Sequence, residues 1–176
     1  YKFVKFVEEQ IDLLEGYNNV ESHAKLRCAY LEAWRKTLFN DVRIEGGNKM
    51  RTYRDFKIVY EPESYLEVIE EFSKRRSVSK FRLSNHRLEI ETGRHKRIPL
   101  PNRLCKKCHV LGDEIHFMTS CEHFKDDRDK LFDILSKNCQ HFSSMLEKDK
   151  FIYMMSTGDK ECIENVAEFI HKNRNM

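Results

Sequence analysis

Apolar residues recur at three- and four-residue steps along most of this chain, the spacing that lines one face of a helix. Phe3, Phe6, Val7, Ile11 and Leu14 form the first such set, and Gly16 stands where a helix C-terminus is commonly capped. Beyond Tyr17-Asn18-Asn19, the residues Ala24, Cys28, Leu31 and Leu38, with Trp34 beside them, predict a longer second helix ending near Phe39, before the Gly46-Gly47 break. Together they predict a helical hairpin over residues 1–48 whose aromatic side chains serve a core.

Residues 49–104 read as a basic helical segment with less regular punctuation. Lys49 to Pro62 fits a short helix or a strand equally. Glu61-Pro62-Glu63 resembles a helix start, with acids at the positive end of the dipole and Tyr65, Ile69 and Phe72 as one stripe. Ser77 is placed to cap a following helix in which Val78, Phe81 and Leu88 face inward, although Leu88 to Glu91 alternates like a strand, and Gly93 is expected to stop it. Ile98-Pro99-Leu100-Pro101 reads as a stiff extended connector, because each proline biases its predecessor away from helix. After residue 123, Phe124, Leu131 and Leu135 space a helix opened by Asp126, Asp127 and Asp129. Met145 to Met155 is less clear, and Ile163, Val166, Ala167 and Ile170 give a last helix over the 124–176 segment.

Composition supports mostly helix: three Pro and six Gly are too few for the many turns of an all-β fold. With 40% apolar and 35% charged residues among 176, the chain can bury a core and must present a heavily charged surface. No window approaches about 18 uncharged apolar residues and no basic-then-apolar leader appears, so neither a membrane span nor a secretory signal is expected. The expected setting is intracellular, in cytoplasm and/or nucleus, and the start at Tyr1 suggests a piece of a longer product. In a reducing compartment a CxxC favours a metal over a disulfide. Cys28, Cys139 and Cys162 stand singly in helical patterns and read as small buried hydrophobes.

That chemistry lies at residues 105–123, where Cys105, Cys108, His116 and Cys121 have CxxC-x7-H-x4-C spacing. Two thiolates two residues apart can clasp one ion, and a His and a Cys after a short loop complete a tetrahedron that suits Zn2+. With four protein ligands the site is closed and therefore structural. His109 and His123 are competing ligands, His109 disfavoured by adjoining Cys108. The expected fold is mainly α, a helical bundle-like domain with a small Cys3His zinc finger inserted.

Charge is uneven. Net charge is only +3, yet Lys74 to Lys107 holds twelve basic residues against Glu89 and Glu91 alone. Such a stretch running into a metal finger suits a surface lying along phosphates. Lys74 apart, the nucleic-acid-binding candidates are Arg75, Arg76, Lys80, Arg82, Arg87, Arg94, Lys96, Arg97, Arg103, Lys106 and Lys107, with Phe81, His86 and His95 as interleaved aromatics. The alternative is a solvated face whose arginines pair with acids of the same fold.

Arg82-Leu83, His86, Leu88, Ile90-Glu91 and Gly93-Arg94, followed by Cys105, Cys108, Glu114, His116-Phe117 and Cys121, resemble the region after the polymerase domain in non-LTR (LINE-like) retrotransposon reverse transcriptases. The resemblance spans about Lys49 to Phe132. It implies a zinc-binding accessory segment whose partners are nucleic acid, RNA template or target DNA, and the upstream polymerase domain of the same polypeptide. The polymerase's paired-Asp motif does not occur in this chain, so the expectation is a non-catalytic fragment. A rival expectation is a zinc-stabilised protein-interaction module docking onto an acidic partner or the polymerase body.

Overall fold

A computed structural model describes residues 19–39, 51–59 and 61–174 of the chain, with side-chain surroundings in its first helix given from Ala24 to Lys36. The chain divides into two compact units, Tyr1–Val42 and Arg43–Met176. The first expected helix, Phe3 to Leu14, lies outside the described residues.

In the first unit, helix α1 spans Asn19–Phe39, as its periodicity predicts. Of the positions expected to face inward, Leu31 and Trp34 are partly covered and Ala24 and Cys28 are exposed, while the side chain of Leu38 lies outside the described residues; Leu26, Ala29, Tyr30 and Ala33 are partly covered as well. Leu26, Tyr30 and Trp34 at four-residue steps centre the covered side, and Ala24 and Cys28 fall off it.

The second unit is mainly helical, and among its described residues the only β pairing is an isolated antiparallel bridge, Leu104 to Leu111. Helices α2 (Tyr53–Phe56) and α3 (Ser64–Val68) are short, so among the described residues between Lys49 and Pro62 the open question resolves to one helical turn. Helix α4 spans Phe72–Arg82. The stripe expected to continue from Tyr65 through Phe72 is interrupted, because Ile69 to Glu71 run extended. Ile69 is thereby sunk in the core, with its carbonyl accepting from Arg75 Nη1 at 3.0 Å, and burial overrides local helix propensity. Ser77 caps nothing: it sits inside α4 and its hydroxyl donates to the Ser73 carbonyl at 2.9 Å.

Helix α5 spans Glu89–His95, which settles the strand-like alternation at Leu88 to Glu91 in favour of helix. Gly93 does not end this helix. It lies within α5, where an added Cβ would stand 2.5 Å from Arg103 Cγ and 2.9 Å from Cδ. That stem cannot swing aside, because Arg103 Nε donates to Ile98 O at 2.9 Å and Nη1 to Ile90 O at 3.2 Å. Gly93→Ala should therefore destabilise the unit by about 1–3 kcal/mol, as overpacking does; a denaturant melt matching wild type would refute this account. The expected extended connector is only half extended, since Leu100–Asn102 closes a 3-10 turn that accommodates the fixed φ of Pro101.

Helix α6 (Glu114–Thr119) carries the His of the metal motif, α7 spans Lys125–Asn138, α8 spans Glu147–Ser156 and α9 spans Lys160–Lys172. Asp159 caps α9 by accepting from Cys162 N at 2.8 Å, and Cys162, Ile163, Val166, Ala167, Phe169 and Ile170 bury its apolar face. Helix α9 packs on α4 and α7, while α8 packs on α6 and α2. One continuous core results, with Phe117, Leu135, Phe142 and Phe151 almost fully enclosed. The segments 49–104, 105–123 and 124–176, expected as separate parts, thus belong to one compact unit.

Candidate metal centre

The chain from Arg103 to Gly112 folds back on itself as a tight knuckle. Gly112 N donates to Arg103 O at 2.9 Å, Cys105 N to Val110 O at 2.7 Å and His109 N to Cys105 O at 2.9 Å. His109 takes φ 57°, the left-handed conformation that reverses the chain after Cys108. Gly112 is required by close approach, because a Cβ there would meet Glu89 Cβ at 2.9 Å and Cys105 N at 3.1 Å. The Gly112 carbonyl accepts from Ile90 N at 3.0 Å, which ties the knuckle to α5.

Helix α6 supplies the facing half. Asp113 caps it by accepting from His116 N at 2.8 Å, and Cys121 N donates to His116 O at 2.9 Å, so the chain turns Cys121 back toward the knuckle. The buried Arg128 of α7 donates from Nη1 to the Cys121 carbonyl and pins that turn.

Cys105, Cys108, His116 and Cys121 come together as a group that could hold a metal ion, with all four ligand atoms within 4.8 Å of one another. The Sγ atoms of Cys105 and Cys121 are 3.8 Å apart, and those of Cys108 and Cys121 are 4.0 Å apart. Metal–sulfur bonds of about 2.3 Å at tetrahedral angles place sulfurs roughly 3.8 Å apart, so this spacing suits one shared ion. Among the described residues, His116 Nε2 is buried without a hydrogen-bond partner. Its Nδ1 faces Ser120 Oγ at 3.2 Å, and Ser120 Oγ donates to Glu147 Oε2 at 3.4 Å. With the serine proton given to the carboxylate, its oxygen can accept from Nδ1–H, the tautomer that leaves the lone pair on the unpartnered Nε2 for an ion. Burial lowers the His116 pKa, which keeps the ring neutral and ligating. His109 and His123, the competing ligands, are both exposed and outside the cluster; His123 packs edge-on against Phe124.

The thiols are not equivalent. Burial pushes Cys121 up to about 12. At Cys105 burial acts the same way, but amide donors from Cys108 and Lys107 and the neighbouring thiols outweigh it and hold the pKa below the ordinary value. Cys108 Sγ accepts from Glu122 N at 3.3 Å. An ion bound here would supply the charge that lets all three sulfurs stand as thiolates.

Sequence reading did not identify the polar network that joins α5 to α6. Glu114, 0% exposed, accepts from Arg51 Nη2, from Ser84 Oγ at 2.8 Å and from His86 Nε2 at 2.8 Å. Glu91, 1% exposed, accepts from Arg51 Nη1 at 2.7 Å and from Arg94 Nε and Nη2 at 3.0 and 2.8 Å. Arg51 thus bridges two buried carboxylates, joining α5 to α6. Burial alone would raise Glu114, but the His86 hydrogen bond and the charges of Arg51 and His86 prevail and hold it at about 2. One signal was present: Glu114 shares a short helix with Ile115, Phe117 and Met118, leaving it little solvent to face.

The eleven basic candidates separate into two sets. Arg82, 7% exposed, donates to the Met155 carbonyl and to Glu63, with its guanidinium 4.4 Å from the Phe56 ring centroid. Arg103, 4% exposed, is bound under α5, Arg94 is held by Glu91, and half-buried Arg75 caps the Ile69 carbonyl. Arg82 and Arg94 pair with acids, as the alternative reading expects, while the bonds described for Arg75 and Arg103 go to backbone carbonyls, and Arg82 and Arg103 are corrected from surface contacts to core members. Arg76, Lys80, Arg87, Lys96, Arg97, Lys106 and Lys107 are exposed. Of the interleaved aromatics, Phe81 is buried, His86 is bound to Glu114 and His95 is exposed. Of the lone cysteines, Cys162 is buried as expected and Cys139 partly so. Among the described residues no helix is long and apolar enough to cross a membrane. No protein-family model matches the chain, and neither does any curated protein or solved structure.

Proposed function

We propose that this chain is a non-catalytic accessory segment of a non-LTR (LINE-like) retrotransposon reverse transcriptase, acting inside the cell, in which a structural Zn2+ rigidifies a basic surface that binds RNA template or target DNA. Three thiolates and one imidazole form the soft and borderline ligand set that zinc favours, and four protein ligands leave no position for a reacting water. The residues on which the family resemblance rests support the reading, since His86, Glu91, Arg94 and Glu114 join through Arg51 in one hydrogen-bonded network between α5 and the helix that carries His116.

One observation carries the nucleic-acid half of this reading. Arg76, Lys80, Arg87, Lys106 and Lys107 line two adjoining surface hollows that share Arg87, Leu88 and Phe117, and the second hollow also touches the metal ligands. Five phosphate contacts would make log K fall with log salt at a slope of about −3.5 on single strands and −4.5 on duplex. A fluorescence-anisotropy titration at several salt concentrations tests this. Arg87→Gln combined with Lys106→Gln should shallow the slope by about 1.4 to 1.8. Affinity that is absent, or indifferent to salt, would exclude nucleic acid as the partner.

A further inference from the structure

A groove of about 450 Å³ runs between α4 and the end of α9, and Phe81 and Phe117 contribute to its floor. Arg76 and Lys80 project from successive turns of α4, Arg87 comes from the loop that follows, and Arg174 closes the far side. No aspartate or glutamate lines this groove among the described residues. Nor do Arg76, Lys80 and Arg87 find a carboxylate partner among them, whereas nearby Lys74 is taken by Glu168 at 2.7 Å. Three uncompensated cations on one concave surface make a strong site for anions.

Phe72 adds the second element. It opens α4 at the mouth of the groove and is 68% exposed. An aromatic ring standing in water beside such cations offers a face on which an unpaired base can stack. A duplex keeps its base faces stacked inside and would give Phe72 nothing to cover. A single strand offers phosphates and free base faces together.

We propose that this groove is a track for a single-stranded stretch of RNA or DNA, with phosphates on Arg76, Lys80 and Arg87 and one base stacked on Phe72. The inference rests on the nucleic-acid reading above and narrows it to unpaired strand at a named place. Exposed Phe72 can be removed without disturbing the core, so its loss reports on binding.

The test titrates the 176-residue chain with labelled oligouridylate, oligothymidylate and a duplex of the same length. Phe72→Ala should weaken both single strands by roughly 5- to 150-fold, the range for one base–aromatic stack, and leave duplex affinity and the salt slope unchanged. Phe72→Trp should restore binding. Arg76→Gln with Lys80→Gln should instead shallow the slope for single strands by about 1.4. The ratio of the two single-strand affinities distinguishes an RNA track from a DNA track. Single strand and duplex bound alike, with Phe72→Ala silent, would overturn the track and leave general nucleic-acid binding standing. Failure of every oligonucleotide to bind would overturn both. A polyglutamate peptide that displaces the single strand at lower concentration than unlabelled strand would overturn the track in favour of an acidic protein partner.

Discussion

Cys105→Ser should abolish metal uptake and unfold the Arg103 to Gly112 knuckle, the largest single effect expected in this chain. Cys105 is a buried member of the four-atom cluster, and the backbone around it is held by a few hydrogen bonds within the knuckle and by the single backbone bond from Ile90 N to Gly112 O. Leu104 and Val110, on either side of the knuckle, are exposed, so little apolar burial supports it. An ion on the four ligands would supply the missing hold, since binding of that kind is coupled to folding and contributes on the order of 10 kcal/mol at neutral pH. Elemental analysis of wild-type protein purified without chelator should find one zinc per chain and Cys105→Ser none. Chelation should reproduce the mutant's melting behaviour. His116→Cys should retain zinc, since a shell of four thiolates is equally closed, and His109→Ala and His123→Ala should retain it because neither ring reaches the cluster. A wild-type protein without metal, or a serine variant that keeps its full complement, would remove the zinc reading.

The four residues of the candidate metal centre were legible in the sequence because their spacing is a local property. CxxC fits one turn of a knuckle, and His116 and Cys121 lie within and just beyond one short helix. Helix α9 was legible for the same reason: its apolar stripe, Ile163, Val166, Ala167 and Ile170, lies within eight residues. What could not be read depends on partners far along the chain. The break at Ile69 to Glu71 follows from burying Ile69, a decision made by the core and not by the local pattern. Arg82 looks like any other cation in a basic run, yet its partners are Glu63 and the carbonyl of Met155, 73 residues away. Gly93 looks like a helix stop, and only the Arg103 stem packed on it shows why a glycine sits inside α5. The same limit applies around the ligands: Ser120, four residues from His116, was within reach of a sequence argument, while Glu147 behind it was not.

The second large effect belongs to Glu114. Its carboxylate is 0% exposed and satisfies Arg51, Ser84 and His86 at once. Glu114→Ala leaves a guanidinium half-paired and two further polar groups unpartnered in a dry interior, which costs about 3–5 kcal/mol. In a unit of this size that should lower Tm by roughly 10 to 20 °C. The pair itself need not stabilise the fold relative to well-packed apolar residues; the cost falls on the partner left behind. A double-mutant cycle separates the two. Arg51→Ala and Glu114→Ala should each be severe, and the double variant should cost clearly less than their sum, because the second change removes the charge that the first stranded. Additive losses would show that Arg51 and Glu114 act independently. Because Glu114 starts the helix that presents His116, the single variant should also weaken zinc retention against a chelator, whereas Ile163→Ala, a buried truncation in α9, which carries none of the four candidate ligands, should not. That contrast distinguishes a network that positions the metal ligands from one that only fills the core.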